Sequence, residues 1–296
     1  MEKSIIISPD ESPGSGILYK IRDFQNPAEL KTESRKISFK IFPVSFSKYR
    51  PCFEKVMHHL NRGDTYLINL TFPTRISTWM TLSEVFHVSR APYKIMVPEQ
   101  FVAFSPEPFI QIIGGHIFSF PMKGTIDAAV ENAEEKILAD KKELYEHNTI
   151  VDLIRNDLSM VASDVVVNSF RYVEPVVTNR KTLLQVSSEI EGTLAPGWQN
   201  RLGDILFTLL PAGSVTGAPK KRTVEIILET EVYERNFYTG IFGYYDGENL
   251  DSAVLIRFIE KEGRGYIYKS GGGITTLSKA EDEYREMIDK VYVPVV

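Results

Sequence analysis

Four glutamates stand at helical spacing beside apolar residues, where a carboxylate is costly unless a cation or strong donors meet it. At about 100° per residue, Leu144, Ile150, Val151, Leu153 and Ile154 fill one continuous arc of a helix. Glu143 and Glu146 project inside that arc, whereas Lys141, Asn148, Asp152 and Asn156 face away. A place on the fringe of the arc, or pairing with an arginine, would also account for them. Glu283, Glu286 and Lys290 follow at i, i+3 and i+7 beside a stripe of Ala280, Tyr284, Met287 and Val291. That spacing equally describes a solvated Glu–Lys face. Two helices that each offer a Glu-x-x-Glu pair could together enclose a hard divalent cation, and all-oxygen ligation suits Mg²⁺. The five histidines show no His-Glu-x-x-His spacing, so zinc has no comparable candidate.

Anions have two candidate places. Gly271-Gly272-Gly273 precedes Ser278-Lys279-Ala280-Glu281, which reads as a capping box, and glycines there let backbone N–H groups approach an anion. A simple tight turn is the alternative. The run from Pro211 to Lys220 superficially resembles a phosphate-binding loop, with Pro219 suited to a first helical turn. Gly213 and Gly217 are too close for Walker spacing and no Gly-Lys-Ser/Thr follows, which excludes a nucleotide triphosphatase of that type. Arg257, inside the strand-like run Ala253 to Ile259, shares a face with Leu255 and Ile259. A guanidinium there wants a carboxylate, supplied either by a bidentate ligand or by an internal salt bridge. Lys123, before Gly124-Thr125, reads by itself as a surface lysine.

These residues need elements to hold them. A helical run from about Phe53 leads to Arg62-Gly63-Asp64, then to a strand over Tyr66 to Leu70. Further strands are predicted at Phe101 to Phe104, Phe109 to Ile113 and His116 to Phe120, with Gly114-Gly115 as a hairpin turn. A long helix is expected from about Val130 to Leu158, a strand before Gly192, and helices on either side of Pro211 to Pro219. Strands follow at Tyr238 to Tyr245, Ala253 to Ile259 and Gly265 to Lys269, and the last helix comes after Ser278. Strands in series with helices between groups predict an α+β fold with largely antiparallel sheets. Residues 1–296 read as one unit. Its first 52 residues carry only short strand-like runs at Ile5 to Ile7 and Ile37 to Phe42.

Composition narrows the classes. With 296 residues, 43% hydrophobic and 25% charged, the chain is that of a soluble globular protein. A net charge of −5 argues against a nucleic-acid binder that relies on broad electrostatics, and Lys220-Lys221-Arg222 is a local cluster. No stretch approaches the roughly 18 apolar residues of a membrane span. The N-terminus does not read as a signal peptide. Cys52, the single cysteine, excludes an intramolecular disulfide and suits a reducing cytosol, so a cytoplasmic protein is expected.

The ordered segments resemble the chorismate-utilising enzyme family. They are Gly63-Asp64-Thr-Tyr-Leu-Ile-Asn69-Leu70, Ser105-Pro106-Glu107-Pro-Phe109, Pro121-Met-Lys123-Gly-Thr125 and the run from Glu146 to Asp157. Gly213-Ser-Val-Thr216-Gly-Ala-Pro-Lys220, Tyr238-Thr-Gly240-Ile-Phe-Gly243-Tyr244, Gly271-Gly-Gly-Ile274 and Glu283-Tyr-Arg-Glu286 complete the set. The resemblance implies two α/β lobes with large, mostly antiparallel sheets flanking a central cleft. It implies that Glu146, Glu283 and Glu286, with Glu143, hold Mg²⁺ against the ring carboxylate of chorismate. It further implies that Gly271, Gly272, Gly273, Tyr238, Arg257 and Lys290 bind substrate carboxylates, with Thr216 nearby.

Lys123 selects among the family's reactions. The Pro-x-Lys-Gly-Thr segment resembles that of the aminodeoxychorismate synthases, in which this lysine is a nucleophile; anthranilate synthases typically carry Ala. The implied reaction is amination of chorismate at C4 through a covalent lysine intermediate, with Glu107 as general acid. It requires a neutral Lys123, which burial or a nearby cation would favour. Cys52 lies outside every motif, so ammonia is expected from a separate glutamine amidotransferase subunit. Leu67 and Gln185 depart from the family, where Gln or Lys and His respectively are common. Leu67 argues against water as nucleophile, and the pair motivates a second reading as a non-catalytic chorismate-binding protein. Anthranilate synthesis is the alternative within the family.

Overall fold

The computed structural model describes residues 3–8, 16–26, 39–177 and 182–294, without the side chains of Lys142, Val176 and Val177. It is an α+β protein built on two large sheets, as predicted. In the first, the strands run in the order Ile5–Ile7, Ile241–Tyr245, Leu250–Val254, Pro108–Ile113, His116–Ser119, Thr182–Leu194 and Met122–Asp127. Ala162–Val177 also pairs with Thr182–Leu194. In the second the order is Gly217–Ala218, Leu67–Ser77, Gly265–Ile274, Phe258–Glu262, Phe101–Ser105, Tyr93–Val97, Leu18–Ile21 and Phe24–Gln25, with Lys40–Phe42 beside Leu67–Ser77. Every described pairing is antiparallel except that of Ile5–Ile7 with Ile241–Tyr245.

The sheets face each other across a shared core. Ile7, Phe242 and Ala253 from the first meet Ile21, Tyr93, Phe101 and Phe258 from the second. On its other face, the first sheet carries the helices Lys141–Ser159 and Leu202–Leu209, whose Val151, Leu158, Ile205 and Leu209 cover Ile110, Ile117 and Ile190. The second carries Phe46–Asn61, Lys220–Thr230 and Ala280–Asp289, which bring Tyr49, Val56, Ile226 and Met287 onto Ile68, Leu70 and Phe72. No described helix is long and apolar enough to cross a membrane.

Several local expectations change. Gly114 and Gly115 do turn the hairpin, both with positive φ (59° and 84°), which the tightest two-residue turns require. The helix expected over 130–158 is broken at Asp140 into Ala133–Ala139 and Lys141–Ser159. The first long helix starts at Phe46 and absorbs Pro51. Ser278 and Glu281 form no capping box: the last helix is capped at Lys279 without a side-chain bond, and the Ser278 hydroxyl bonds Glu283 instead, at 2.6 Å. Gly271–Gly273 form no turn; they extend the strand Gly265–Ile274 along Leu67–Ser77. The run Ala253 to Ile259 is not one strand, because Arg257 breaks it with a φ of +52°. Of the early strand-like run Ile37 to Phe42, residues 37 and 38 lie outside the described residues.

Candidate active site

A cavity of about 540 Å³ opens between the sheets, and every expected site residue except Thr216 lines it. Lys123 comes from Met122–Asp127, where the register along Thr182–Leu194 shifts between Met122 and Thr125 and Gly124 takes a φ of +92°. A β-bulge of this sort re-aims a side chain. A Cβ on Gly124 would lie 3.0 Å from a Glu143 carboxylate oxygen, so glycine lets the two elements close.

Lys123 Nζ lies 2.8 Å from Glu146 Oε2. Burial alone would lower the lysine's pKa, but Glu146, with Glu143 and Glu286 behind it, raises it above the ordinary value. Burial thus acts as expected, toward the neutral amine, but the surrounding carboxylates outweigh it and favour the ammonium.

Glu107 shows the opposite polarity. Burial pushes its carboxyl above the usual range, against the pull of a hydrogen bond with Ser214 and of the Arg257, Lys123 and Lys290 charges. It thus tends to keep its proton, as a general acid must.

The carboxylates share the cavity from two helices. Glu146 is 6% and Glu283 7% exposed, so neither occupies a solvated fringe. Lys290 Nζ bonds Glu286 at 2.6 Å and the Gly271 carbonyl at 3.0 Å. A Cβ on Gly272 would lie 3.3 Å from a Glu283 oxygen and 3.4 Å from a Glu286 oxygen, so those two oxygens converge over a bare stretch of strand. Among the described residues no three His, Cys, Asp or Glu groups are already assembled as a metal cluster. The donors nonetheless fit a hard cation: all are carboxylate oxygens, and two meet over the Gly272 cradle.

Tyr238 is buried, which raises its phenol above the ordinary value. Arg257 makes no ion pair with a carboxylate of the described residues; its Nε lies 3.4 Å from the Tyr292 hydroxyl. The internal salt bridge is thus absent among the described residues. Thr216 does not line the cavity: it is 1% exposed behind Val215, and its hydroxyl has no hydrogen-bond partner among the described groups. Leu67 and Gln185 both line the cavity, with Gln185 Nε2 3.3 Å from a Glu174 oxygen.

Sequence reasoning missed Ser214 as the partner of Glu107, since nothing in its spacing singles it out. Asn69 ties the cavity wall together, donating from Nδ2 to the Val215 carbonyl (2.9 Å) and from its backbone to Thr216 (2.9 Å). A polar amide between Ile68 and Leu70 was the available signal. Cys52 sits in the helix Phe46–Asn61, away from the cavity lining.

Residues 11–295 match the family described as chorismate binding enzyme. A Haemophilus influenzae protein named "Uncharacterized PabA-like protein" is 47% identical over 294 residues, covering 99% of this chain and 89% of that one. Aminodeoxychorismate synthase component 1 of Klebsiella aerogenes is 33% identical over 264 residues, covering 84% of this chain and 57% of that protein. Among solved structures, anthranilate synthase component I from Streptococcus pneumoniae superposes with a TM-score of 0.76 at 25% identity, covering 90% of this chain and 62% of that one.

Proposed function

The chain belongs to the chorismate binding enzyme family, and from that premise we propose that it aminates chorismate at C4 to give 4-amino-4-deoxychorismate, a step toward p-aminobenzoate and folate. The observation that carries this reading is the opening of the Lys123 amine and the Glu107 carboxyl onto one cavity that also holds Arg257 and the glutamate pairs. Similarity to an aminodeoxychorismate synthase component 1 over 84% of the chain supports it.

Glu146, Glu283 and Glu286, with Glu143 beside them, would hold Mg²⁺, which when bound supplies positive charge against a substrate carboxylate. Arg257, Lys290 and the Gly271–Gly273 backbone bind and orient the carboxylates. Lys123 rests as an ammonium on Glu146; it gives one proton to solvent before it reacts and takes one back once it is freed. Its nitrogen then bonds to C2, the conjugated double bonds shift, and the C4–O bond breaks, with Glu107 protonating the departing oxygen so that it leaves as water. Ammonia bonds to C4, the double bonds shift back, and the C2–N bond breaks to free Lys123. The surplus ammonia proton returns to the Glu107 carboxylate, so chorismate and ammonia yield product and water. Leu67 presents an apolar wall beside Gly273, its Cδ1 being 3.1 Å from where a Cβ on that glycine would lie, and so disfavours water as a competing nucleophile.

Ammonia comes from a separate glutamine amidotransferase subunit. Cys52, remote from the cavity, cannot supply it, and the Klebsiella relative is named as a component. Residues 1–296 act as one catalytic unit in the cytoplasm. Incubating the purified chain with chorismate, Mg²⁺ and ammonium tests the reading, with products followed by mass spectrometry. 4-Amino-4-deoxychorismate is expected. Pyruvate with fluorescent anthranilate would establish anthranilate synthesis instead, and chorismate binding without turnover would establish a non-catalytic role.

A further inference from the structure

We propose that Tyr292, which does not line the cavity, is a positioning residue that sets ligand affinity by holding the Arg257 guanidinium in place for a carboxylate. The proposal rests on the reading of the cavity as a chorismate site. Arg257 sits between Leu250–Val254 and Phe258–Glu262 with a φ of +52°, a left-handed backbone that a bulky residue adopts only where its surroundings enforce it. Part of that enforcement is a backbone bond from the Phe104 N–H to the Arg257 carbonyl, at 3.2 Å. The rest acts on the side chain. The guanidinium carbon lies 5.2 Å from the centroid of the Tyr292 ring, and Nε reaches the Tyr292 hydroxyl at 3.4 Å.

A ring contact together with a bond at Nε restrains a guanidinium while leaving its terminal nitrogens available for a bidentate acceptor. No carboxylate of the described residues forms an ion pair with Arg257, so its charge is left for an anion that enters the cavity. An arginine that already lies in its binding geometry loses less freedom when the ligand arrives.

Tyr292 can do this because the chain around it is strapped down. Its carbonyl accepts a bond from the Tyr268 hydroxyl at 2.9 Å. Val291 and Val293, each 7% exposed, are packed into the core beside Phe104 and Tyr268. Two residues on, the Pro294 carbonyl accepts from Arg90 N–H at 2.7 Å. The Tyr292 side chain itself is 44% exposed, so truncating it leaves the core packing in place.

Calorimetric titration of chorismate with Mg²⁺ present, for the wild type, Tyr292→Leu, Tyr292→Phe, Arg257→Lys and Tyr292→Leu with Arg257→Lys, tests this, with melting curves as the check on folding. Tyr292→Leu is expected to weaken binding about tenfold, the scale of a partly desolvated cation–π contact. Tyr292→Phe keeps the ring but loses the hydroxyl contact to Nε, and should weaken binding by less than Tyr292→Leu does. In the Arg257→Lys background, Tyr292→Leu should add almost nothing, because both changes remove one interaction. Unchanged binding by Tyr292→Leu would overturn the proposal, as would full multiplication of the two effects in the double variant. If the wild type binds no chorismate, the reading of the cavity falls and takes this proposal with it; wild-type binding with an indifferent Tyr292 overturns this proposal alone.

Discussion

Two ionisable groups in the cavity are both biased toward their protonated forms, by different causes. Glu146 favours the charged form of Lys123, while burial favours the neutral form of Glu107. If Lys123 is the nucleophile, Lys123→Ala should lower the initial rate at subsaturating ammonium by at least about tenfold, roughly 1.4 kcal/mol on the barrier. An unchanged rate of 4-amino-4-deoxychorismate formation would remove Lys123 from the chemistry. Gly272 tests the cation cradle separately. A methyl there would come within 3.3–3.4 Å of the Glu283 and Glu286 oxygens. Gly272→Ala should therefore raise the Mg²⁺ concentration for half-maximal activity by about tenfold, a shift of roughly 1.4 kcal/mol in ion affinity. A Mg²⁺ titration identical to wild type would mean that the ion is held elsewhere. At this scale the sequence was informative where a charge broke an apolar pattern, as at Glu146 and Glu283. It was silent on Ser214 and Tyr292, whose roles depend on which residues the fold places against them.

Elements were legible where a turn or a period announced them and obscure where tertiary contacts overrode local signals. The Gly114-Gly115 hairpin needed only its glycines. The strand Ala162–Val177 was missed because its alternation is interrupted: residues Asp164 and Arg171 take positive φ and the register shifts three times. Ser278 looked like a cap, yet its hydroxyl is drawn to Glu283. Lys94 gives a helix end a partner that no local pattern reveals. Its ammonium donates to the carbonyls of Phe86 (2.8 Å) and Ser89 (2.9 Å) at the close of Leu82–Val88, with the Phe86 ring 4.5 Å away. Burial, with Lys20 and Arg90 adding to it, lowers the Lys94 pKa to about 8 from 10.5. Folded Lys94 thus releases its proton at lower pH than the unfolded chain does. Its contribution is fully favourable above about 10.5 and is lost as pH falls through about 8. Urea unfolding of the wild type should show stability rising across that window relative to Lys94→Met, by on the order of 2–3 kcal/mol. Parallel pH profiles for the two proteins would show that the lysine is fully charged in the fold.

The whole molecule depends on the core that the two sheets share. Phe101 is fully buried there, 4.7 Å from the Phe258 ring and 4.9 Å from that of Phe237. Phe101→Ala should cost about 3–5 kcal/mol. Trp198 lies in the separate core on the far side of the first sheet, so its fluorescence, in a background carrying Trp79→Phe, tests whether that loss is felt by both halves. The Trp198 transition should move to lower urea together with the circular dichroism; a Trp198 midpoint that stays put would mean that the halves unfold independently. Association with other molecules is governed by a different feature. Ala162–Val177 borders the first sheet, and among the described residues only Thr182–Leu194 pairs with it. A straight border of that length would offer a row of free amide groups to any extended chain nearby. The left-handed kinks at Asp164 and Arg171 interrupt that row and place charged residues at the interruptions. The irregularity that hid this strand from its own sequence also shortens the uninterrupted run of amides that the border presents to an extended chain.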